Sequence, residues 1–64
     1  MRLVYTKNAL PVERNDVVIS RDEMFVVTGW REPHKPSSTG RVYVRDEHGE
    51  HEFFPGVFDM KFIG

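Results

Sequence analysis

A hydroxyl-rich stretch beside a histidine is the first place in this sequence where chemistry could reside. Ser37, Ser38 and Thr39 lie close to His34, and a hydroxyl beside an imidazole is the pairing that nucleophilic catalysis uses. A working triad also needs an orienting group and a scaffold that holds all three groups. The stretch 32–40 contains two prolines and ends in glycine, which predicts a loop without regular structure. We interpret it as a polar loop and predict no catalytic residues.

Two histidines set among glutamates are the next candidate, because imidazole and carboxylate groups bind metal ions. His48 and His51 are three residues apart, with Glu47, Glu50 and Glu52 around them. On a helix this spacing would bring the side chains together, whereas on a β-hairpin only alternate residues share a face. The chain has no cysteine, so a structural zinc ion would need four His or carboxylate ligands. We predict no metal site and no cofactor.

Basic and aromatic side chains gather in the middle of the chain. Residues 28–45 carry four basic and one acidic side chain, whereas residues 46–64 carry five acidic and one basic. One interpretation is that strand pairing mixes these charges in space, and the other is a basic loop that contacts an anionic partner. The predicted binding residues are Trp30, Arg31, His34, Lys35, Arg41 and Tyr43.

These residues suit two kinds of partner. For a protein partner, the 32–40 loop is long for a connection between strands, and its prolines reduce the entropy lost on binding. Trp, Tyr and Arg are also the residue types that dominate interface energetics. For nucleic acid, basic groups attract phosphate and exposed Trp30 and Tyr43 rings stack on bases. A net charge of −1 argues against the second, and Trp30 can equally be a core residue. We predict a protein partner, with nucleic acid as the alternative.

Length and composition limit the number of domains, the cellular location and the kind of function that the chain can have. Sixty-four residues make one domain at most, which we place over residues 1–64. No apolar run reaches the ~18 residues of a membrane span, and the first residues lack the apolar core of a signal peptide. The absence of cysteine suits a reducing cytoplasm, so we predict a cytoplasmic protein, monomeric or homodimeric, without membrane contact. A pocket of a few hundred Å³ is not expected in so short a chain, so we predict a binding module and not an enzyme.

Short apolar runs separated by turn residues predict strands, and no stretch has a convincing helical period. The five runs are residues 2–5, 16–20, 24–31, 41–45 and 50–54. Arg21 and Asp22 are predicted to form a tight turn, and Gly29 predicts a bulge inside the third run. A single helical turn is predicted at 57–59, before a last short strand at 60–63.

The alternating pattern of the last long hairpin predicts its register. If residues 48–49 form a two-residue turn, Val44 faces Phe53 and Arg45 faces Glu52, so that apolar side chains share one face and opposite charges pair. The side chains predicted to point inward are Val42, Val44 and Phe53. The side chains predicted on the outer face are Arg41, Tyr43, Arg45 and Glu52.

The same patterns predict a thin apolar core. Its predicted members are Leu3, Val17, Ile19, Phe25, Val27, Val42, Val44, Phe53, Phe58 and Ile63. Phe54 falls on the opposite face from Phe53, where it would form an exposed aromatic patch or a dimer contact. We expect instead that the helical turn at 57–59 covers its ring.

The order of strands, loops and turns resembles that of small SH3-like barrels, in which a short helical turn precedes the final strand. The resemblance implies an all-β, five-stranded SH3-like barrel with one short 3₁₀ turn before the last strand. Closure into a barrel would protect strand edges that a small sheet exposes. An open, twisted antiparallel sheet completed by a dimer partner is the alternative.

The central string GWREPHKPSSTGRVYV, residues 29–44, also resembles one found in short uncharacterised phage and prophage proteins. The similarity covers about a quarter of the chain. It implies a phage-type accessory protein, carries no catalytic motif and transfers no functional residue.

Overall fold

The computed structural model describes residues 1–35 and 38–64. Within these residues the chain forms six strands and one 3₁₀ turn. The strands are β1 (Arg2–Tyr5), β2 (Val17–Ser20), β3 (Glu23–Arg31), β4 (Arg41–Asp46), β5 (Gly49–Phe53) and β6 (Met60–Ile63). The 3₁₀ turn, Pro55–Phe58, lies between β5 and β6, close to the predicted helical turn at 57–59. The all-β prediction is therefore confirmed. Among the same residues, no helix has the length and apolar character needed to cross a membrane.

The strands form two separate antiparallel sheets. One sheet pairs β1 with β6, and the other has the strand order β2-β3-β4-β5. Residues 9–12 return along the second edge of β1, where the Val12 N–H donates to the Leu3 carbonyl (2.9 Å) and Pro11 forms a bridge with Val4. Because both edges of β1 are occupied in this way, β1 does not extend the larger sheet. Within the described residues the sheets are not closed into a barrel, so the predicted five-stranded SH3-like barrel is not confirmed.

The two local irregularities predicted near β3 are both present. Arg21 and Asp22 join β2 to β3 with positive φ angles of 51° and 66°, the backbone that a two-residue hairpin turn requires in a right-handed sheet. The pairing of β3 with β4 shifts between Val27 and Gly29, which confirms the bulge. Turn residues and a glycine within a strand are therefore reliable local signals in this chain.

The β4–β5 hairpin begins its turn one residue earlier than predicted. Asp46 pairs with Gly49, so the turn residues are Glu47 and His48 instead of residues 48–49. The Asp46 side chain explains the difference, because its Oδ1 accepts the backbone N–H of His48 (2.8 Å) and so defines the start of the turn. Gly49 follows the turn with φ of 122°.

The earlier turn shifts the β5 partner of every β4 residue by two positions from the predicted register. The observed pairs are Val42 with Phe53, Tyr43 with Glu52, Val44 with His51 and Arg45 with Glu50. The predicted register, in which Val44 faces Phe53 and Arg45 faces Glu52, is wrong. The predicted faces survive because side chains alternate with a period of two. Val42 and Val44 are fully buried, and Tyr43 and Arg45 lie on the outer face.

Most of the predicted core is confirmed. The predicted residues that are buried are Leu3, Phe25, Val27, Val42, Val44 and Phe58. Phe53 is partly buried and packs against this cluster, where its ring meets those of Phe25 and Phe58 edge to face at 5.5 and 5.4 Å. Edge-to-face aromatic contacts of this kind stabilise a core beyond their buried area.

Three predicted core residues are wrong. Val17 and Ile19 are 57% and 65% exposed, and Ile63 is 37% exposed. In β2, three apolar residues in a row give no alternation, and pairing with buried Phe25 turns Val18 inward instead. In β6, Met60 is buried, so a residue three positions later falls on the other face. The buried residues that the prediction missed are Val4, Val12, Val18 and Met60.

Candidate binding groove

An open groove of about 720 Å³ lies between residues 33–35 and 38–39 on one side and the segment 54–62 on the other. Its apolar lining consists of Met1, Pro33, Phe54, Pro55, Met60 and Phe62. Phe54 is 55% exposed, so its ring is free to meet a partner. The expectation that so short a chain has no pocket of a few hundred Å³ is wrong, because the groove forms at the surface between two segments and needs no interior volume.

The charged groups along this groove are all of one sign. Among the described lining residues, the titratable side chains are His34, Lys35 and Lys61, and none is Asp or Glu. All three are exposed. Basic side chains beside low-dielectric walls create a positive potential that attracts anionic groups. The arrangement joins an apolar interior to a basic rim, and we call the whole feature the basic groove.

Gly40 lies against β6. Its φ is 70°, and a Cβ at this position would lie 2.6 Å from the Arg31 carbonyl oxygen and 2.7 Å from a ring carbon of Phe62. Real Cβ atoms do not approach backbone so closely, so only glycine permits the contact. The chain at Gly40 is therefore in close contact with Phe62, which fixes one wall of the basic groove.

Arg41 supports the exposed ring of Phe54 from one side. The guanidinium carbon lies 4.3 Å from the ring centroid, a cation–π distance. The same side chain donates from Nη1 to the Gly40 carbonyl (2.7 Å) and places Nε 3.3 Å from a Glu52 carboxylate oxygen. The expectation that the helical turn covers Phe54 is wrong, since Arg41 contacts one face and the ring remains largely open.

The six predicted binding residues do not form one surface. His34 and Lys35 line the basic groove, and Arg41 stands beside it through Phe54. Trp30 instead pairs with Val42 and lies on the core face of β3, half-buried, with the Arg14 guanidinium 5.3 Å from its ring. The position of Trp30 is therefore that of a residue packed against the core, and it fits less well with an exposed anchor for a partner.

Arg31 and Tyr43 lie on the outer face of the larger sheet. Arg31 faces Arg41 across the strands, and both approach one carboxylate of Glu52, at 3.8 and 3.3 Å. Tyr43 is half-buried between Gly29 and Glu52. The basic and acidic thirds of the sequence thus mix on this face, as the interpretation of strand pairing predicts. Pro36 and Ser37 of the predicted loop lie outside the described residues.

Sequence reasoning missed most of the groove. Phe62 and Lys61 come from the last strand, and their role depends on the loop contact made at Gly40. Phe54 carried a signal, because it follows Phe53 and alternation cannot bury both rings. Pro33 carried none beyond its place in the loop. The groove is a tertiary feature, assembled from segments about twenty residues apart in the chain.

A histidine–aspartate pair lies at the other end of the larger sheet. The Nε2 of His51 is 3.0 Å from Asp46 Oδ1. Desolvation acts to raise the pKa of Asp46, but the His48 N–H and the His51 ring together lower it below its ordinary value. Among the described residues, no group of three or more His, Asp or Glu side chains is arranged to hold a metal ion. The pair stabilises the hairpin turn.

Tyr5 in β1 and Asp16, one residue before β2, form a polar contact. The Tyr5 hydroxyl donates to Asp16 Oδ2 (2.7 Å), which also accepts the Glu13 backbone N–H (3.0 Å). Burial, followed by the hydrogen bond to the Asp16 carboxylate, raises the pKa of Tyr5 to about 12. The contact holds β1 against the segment that leads into β2.

Comparison of the chain with family models, curated proteins and solved structures finds no match. The fold and the groove alone therefore indicate what class of protein this chain is. The chain is an all-β domain that carries an apolar, basic-rimmed groove on its surface.

Proposed function

We propose that this chain is a non-catalytic binding module that takes a segment of a protein into the basic groove. The observation that carries the proposal is an open apolar groove in which Met1 and Phe54 are exposed and the charged groups of the described lining have a single sign. Burial of apolar partner atoms contributes roughly 25 cal/mol per Å² removed from water. The basic rim adds orientation and speeds association, since charge complementarity acts mainly on specificity and on-rate.

Several contacts favour protein over nucleic acid as the partner. Arg31 and Arg41 share the Glu52 carboxylate, which reduces the charge that they offer to phosphate. Trp30 lies on the core face and is not free to stack on a base. The groove interior is made of proline, methionine and phenylalanine, which suit an aliphatic or aromatic side chain. Nucleic acid remains the second candidate because exposed Phe54 stands near the basic rim.

Three finer expectations belong to the same proposal. The order of strands and the 3₁₀ turn before β6 support a relationship to SH3-like barrels. The string at residues 29–44 supports a phage-type accessory role. The cysteine-free composition suits a reducing compartment, and we place the protein in the cytoplasm.

Selection of random peptides displayed on phage against the immobilised chain tests the proposal. We expect enriched peptides to bind the wild-type chain and to lose about tenfold or more in affinity on Phe54→Ala, the loss typical of an exposed interface anchor. The matched control is Leu10→Ala, which removes another exposed apolar side chain outside the groove and should leave binding unchanged. Peptides that bind both variants equally well would overturn the proposal, as would a selection that enriches none.

A labelled single-stranded oligonucleotide is the probe for the second candidate. The proposal predicts no binding at physiological salt. Binding that falls steeply as salt rises, and that is lost on Lys35→Glu while Leu10→Glu retains it, would replace the protein partner by a nucleic acid.

A further inference from the structure

The end of the larger sheet opposite the groove is acidic. The β2–β3 and β4–β5 turns lie side by side there and form a shallow cleft of about 550 Å³. The cleft is lined by Asp22, Glu23, Met24, Asp46, Glu47 and His48, which include four carboxylates and, among the described residues, no Lys or Arg. Arg21, in the β2–β3 turn at the same end, lies outside this lining. We call this surface the acidic end.

An exposed apolar side chain stands among these carboxylates. Met24 is 65% exposed and has Glu23 beside it in β3. Its partner across the strands, Ile19, is equally exposed and extends the apolar surface. Asp46 is occupied by His48 and His51, and Glu47 lies 3.5 Å from the His48 ring nitrogen Nε2. The carboxylates of this surface that have no partner among the described residues are therefore those of Asp22 and Glu23.

The acidic end and the basic groove do not neutralise each other within one molecule. Strand β3 runs from Glu23 at the acidic end to Arg31. The carbonyl group of Arg31 lies close to Gly40, which borders the groove. Nine extended residues span roughly 25 Å, about three Debye lengths at physiological ionic strength. Each surface therefore keeps its own charge and stays open to an external partner.

We propose that a second copy of this chain occupies the basic groove, with the acidic end of one copy docked into the groove of the next. The inference rests on the proposed function, because it names the partner of the same groove. Met24 enters the apolar lining, where an unbranched, polarisable thioether fits an irregular surface. The carboxylates of Asp22 and Glu23 meet Lys35 and Lys61, so the two surfaces complement each other in polarity and in charge.

The contact joins two different surfaces, so it is head-to-tail. Each pair of copies leaves one groove and one acidic end free, and assembly continues into rings or open chains. A symmetric dimer would instead bury the same surface twice and stop at two copies. This difference makes the proposal testable without knowledge of any other partner.

Sedimentation velocity on two single-site variants is the test. Phe54→Glu disables the groove and leaves the acidic end intact, whereas Met24→Glu disables the acidic end and leaves the groove intact. Both positions are exposed, and circular dichroism verifies that each variant folds. The wild-type mass should rise with concentration, up to ~1 mM because small interfaces bind weakly. Each variant alone should stay at the 7.5 kDa monomer mass.

An equal mixture of the two variants gives the decisive result. The intact acidic end of one should dock into the intact groove of the other, giving twice the monomer mass and no further growth. Leu10→Glu, outside both surfaces, should assemble like the wild type. The inference is overturned if the wild type stays monomeric, if the mixture stays at monomer mass, or if either variant alone still dimerises. Selected peptides that still bind through Phe54 would then leave the proposed function intact.

Discussion

Replacing Gly40 by alanine should destabilise the fold through two separate effects. Gly40 has φ of 70°, where an L-residue costs roughly 1–2 kcal/mol. The new Cβ would also stand 2.6 Å from the Arg31 carbonyl oxygen and 2.7 Å from the Phe62 ring, and relieving such overpacking costs about 1–3 kcal/mol. The free energy of unfolding should fall by ~2–5 kcal/mol, a large share of the ~3–10 kcal/mol typical of a chain of this length.

Urea unfolding measures this loss, and two other glycines separate its causes. Gly49 has φ of 122° but no atom within 4 Å of its Cβ position, and Gly56 has neither a positive φ nor a neighbour there. Gly49→Ala should therefore show only the backbone cost, and Gly56→Ala close to none. A Gly40→Ala chain as stable as Gly56→Ala would refute the close contact of the loop with β6 and, with it, the wall of the groove.

Three further outcomes follow from the same structure. Val18→Ala should lower the free energy of unfolding by about 2 kcal/mol. Val17→Ala, at an exposed position, should change it by less than ~0.5 kcal/mol in the same urea titration. The reverse order would mean that Val17 points into the core, as predicted from the sequence. Burial, followed by the hydrogen bond to Asp16, raises the pKa of Tyr5 from 10.0 to about 12, so its contribution to stability is complete below pH 10 and lost as pH rises through 12. Tyr5→Phe should remove this loss, and an unchanged pH profile would contradict the burial of the Tyr5 hydroxyl beside Asp16. Affinity for an acidic peptide selected on the groove should fall by about tenfold or less between ~50 and ~500 mM salt, because the burial of apolar surface persists at high salt. Complete loss of binding would argue against the apolar lining as the main source of affinity.

Local sequence signals predicted much of the scaffold. The turn at Arg21 and Asp22, the bulge at Gly29 and the inward faces of Val42 and Val44 each depend on neighbours within a few residues. Turn chemistry and alternation are local properties, so a single sequence carries them. The 3₁₀ turn before the last strand belongs to the same group.

Errors arose where a tertiary contact or one side chain decided between alternatives. The Asp46 carboxylate set the start of the β4–β5 turn, and pairing with Phe25 decided which valine of β2 points inward. The basic groove lay beyond local reasoning, because it needs the return of the loop at Gly40 against Phe62. A pattern read along the chain does not report which distant segments meet.

Amide chemical shifts of the isotope-labelled chain, titrated with a peptide from the phage selection, would locate the binding surface residue by residue. The largest changes should fall on Lys35, Phe54 and Lys61, with little change on the outer face at Tyr43 and Arg45. Changes concentrated on Tyr43 and Arg45, with the groove residues unmoved, would contradict binding in the basic groove and place the binding surface on the outer face of the sheet.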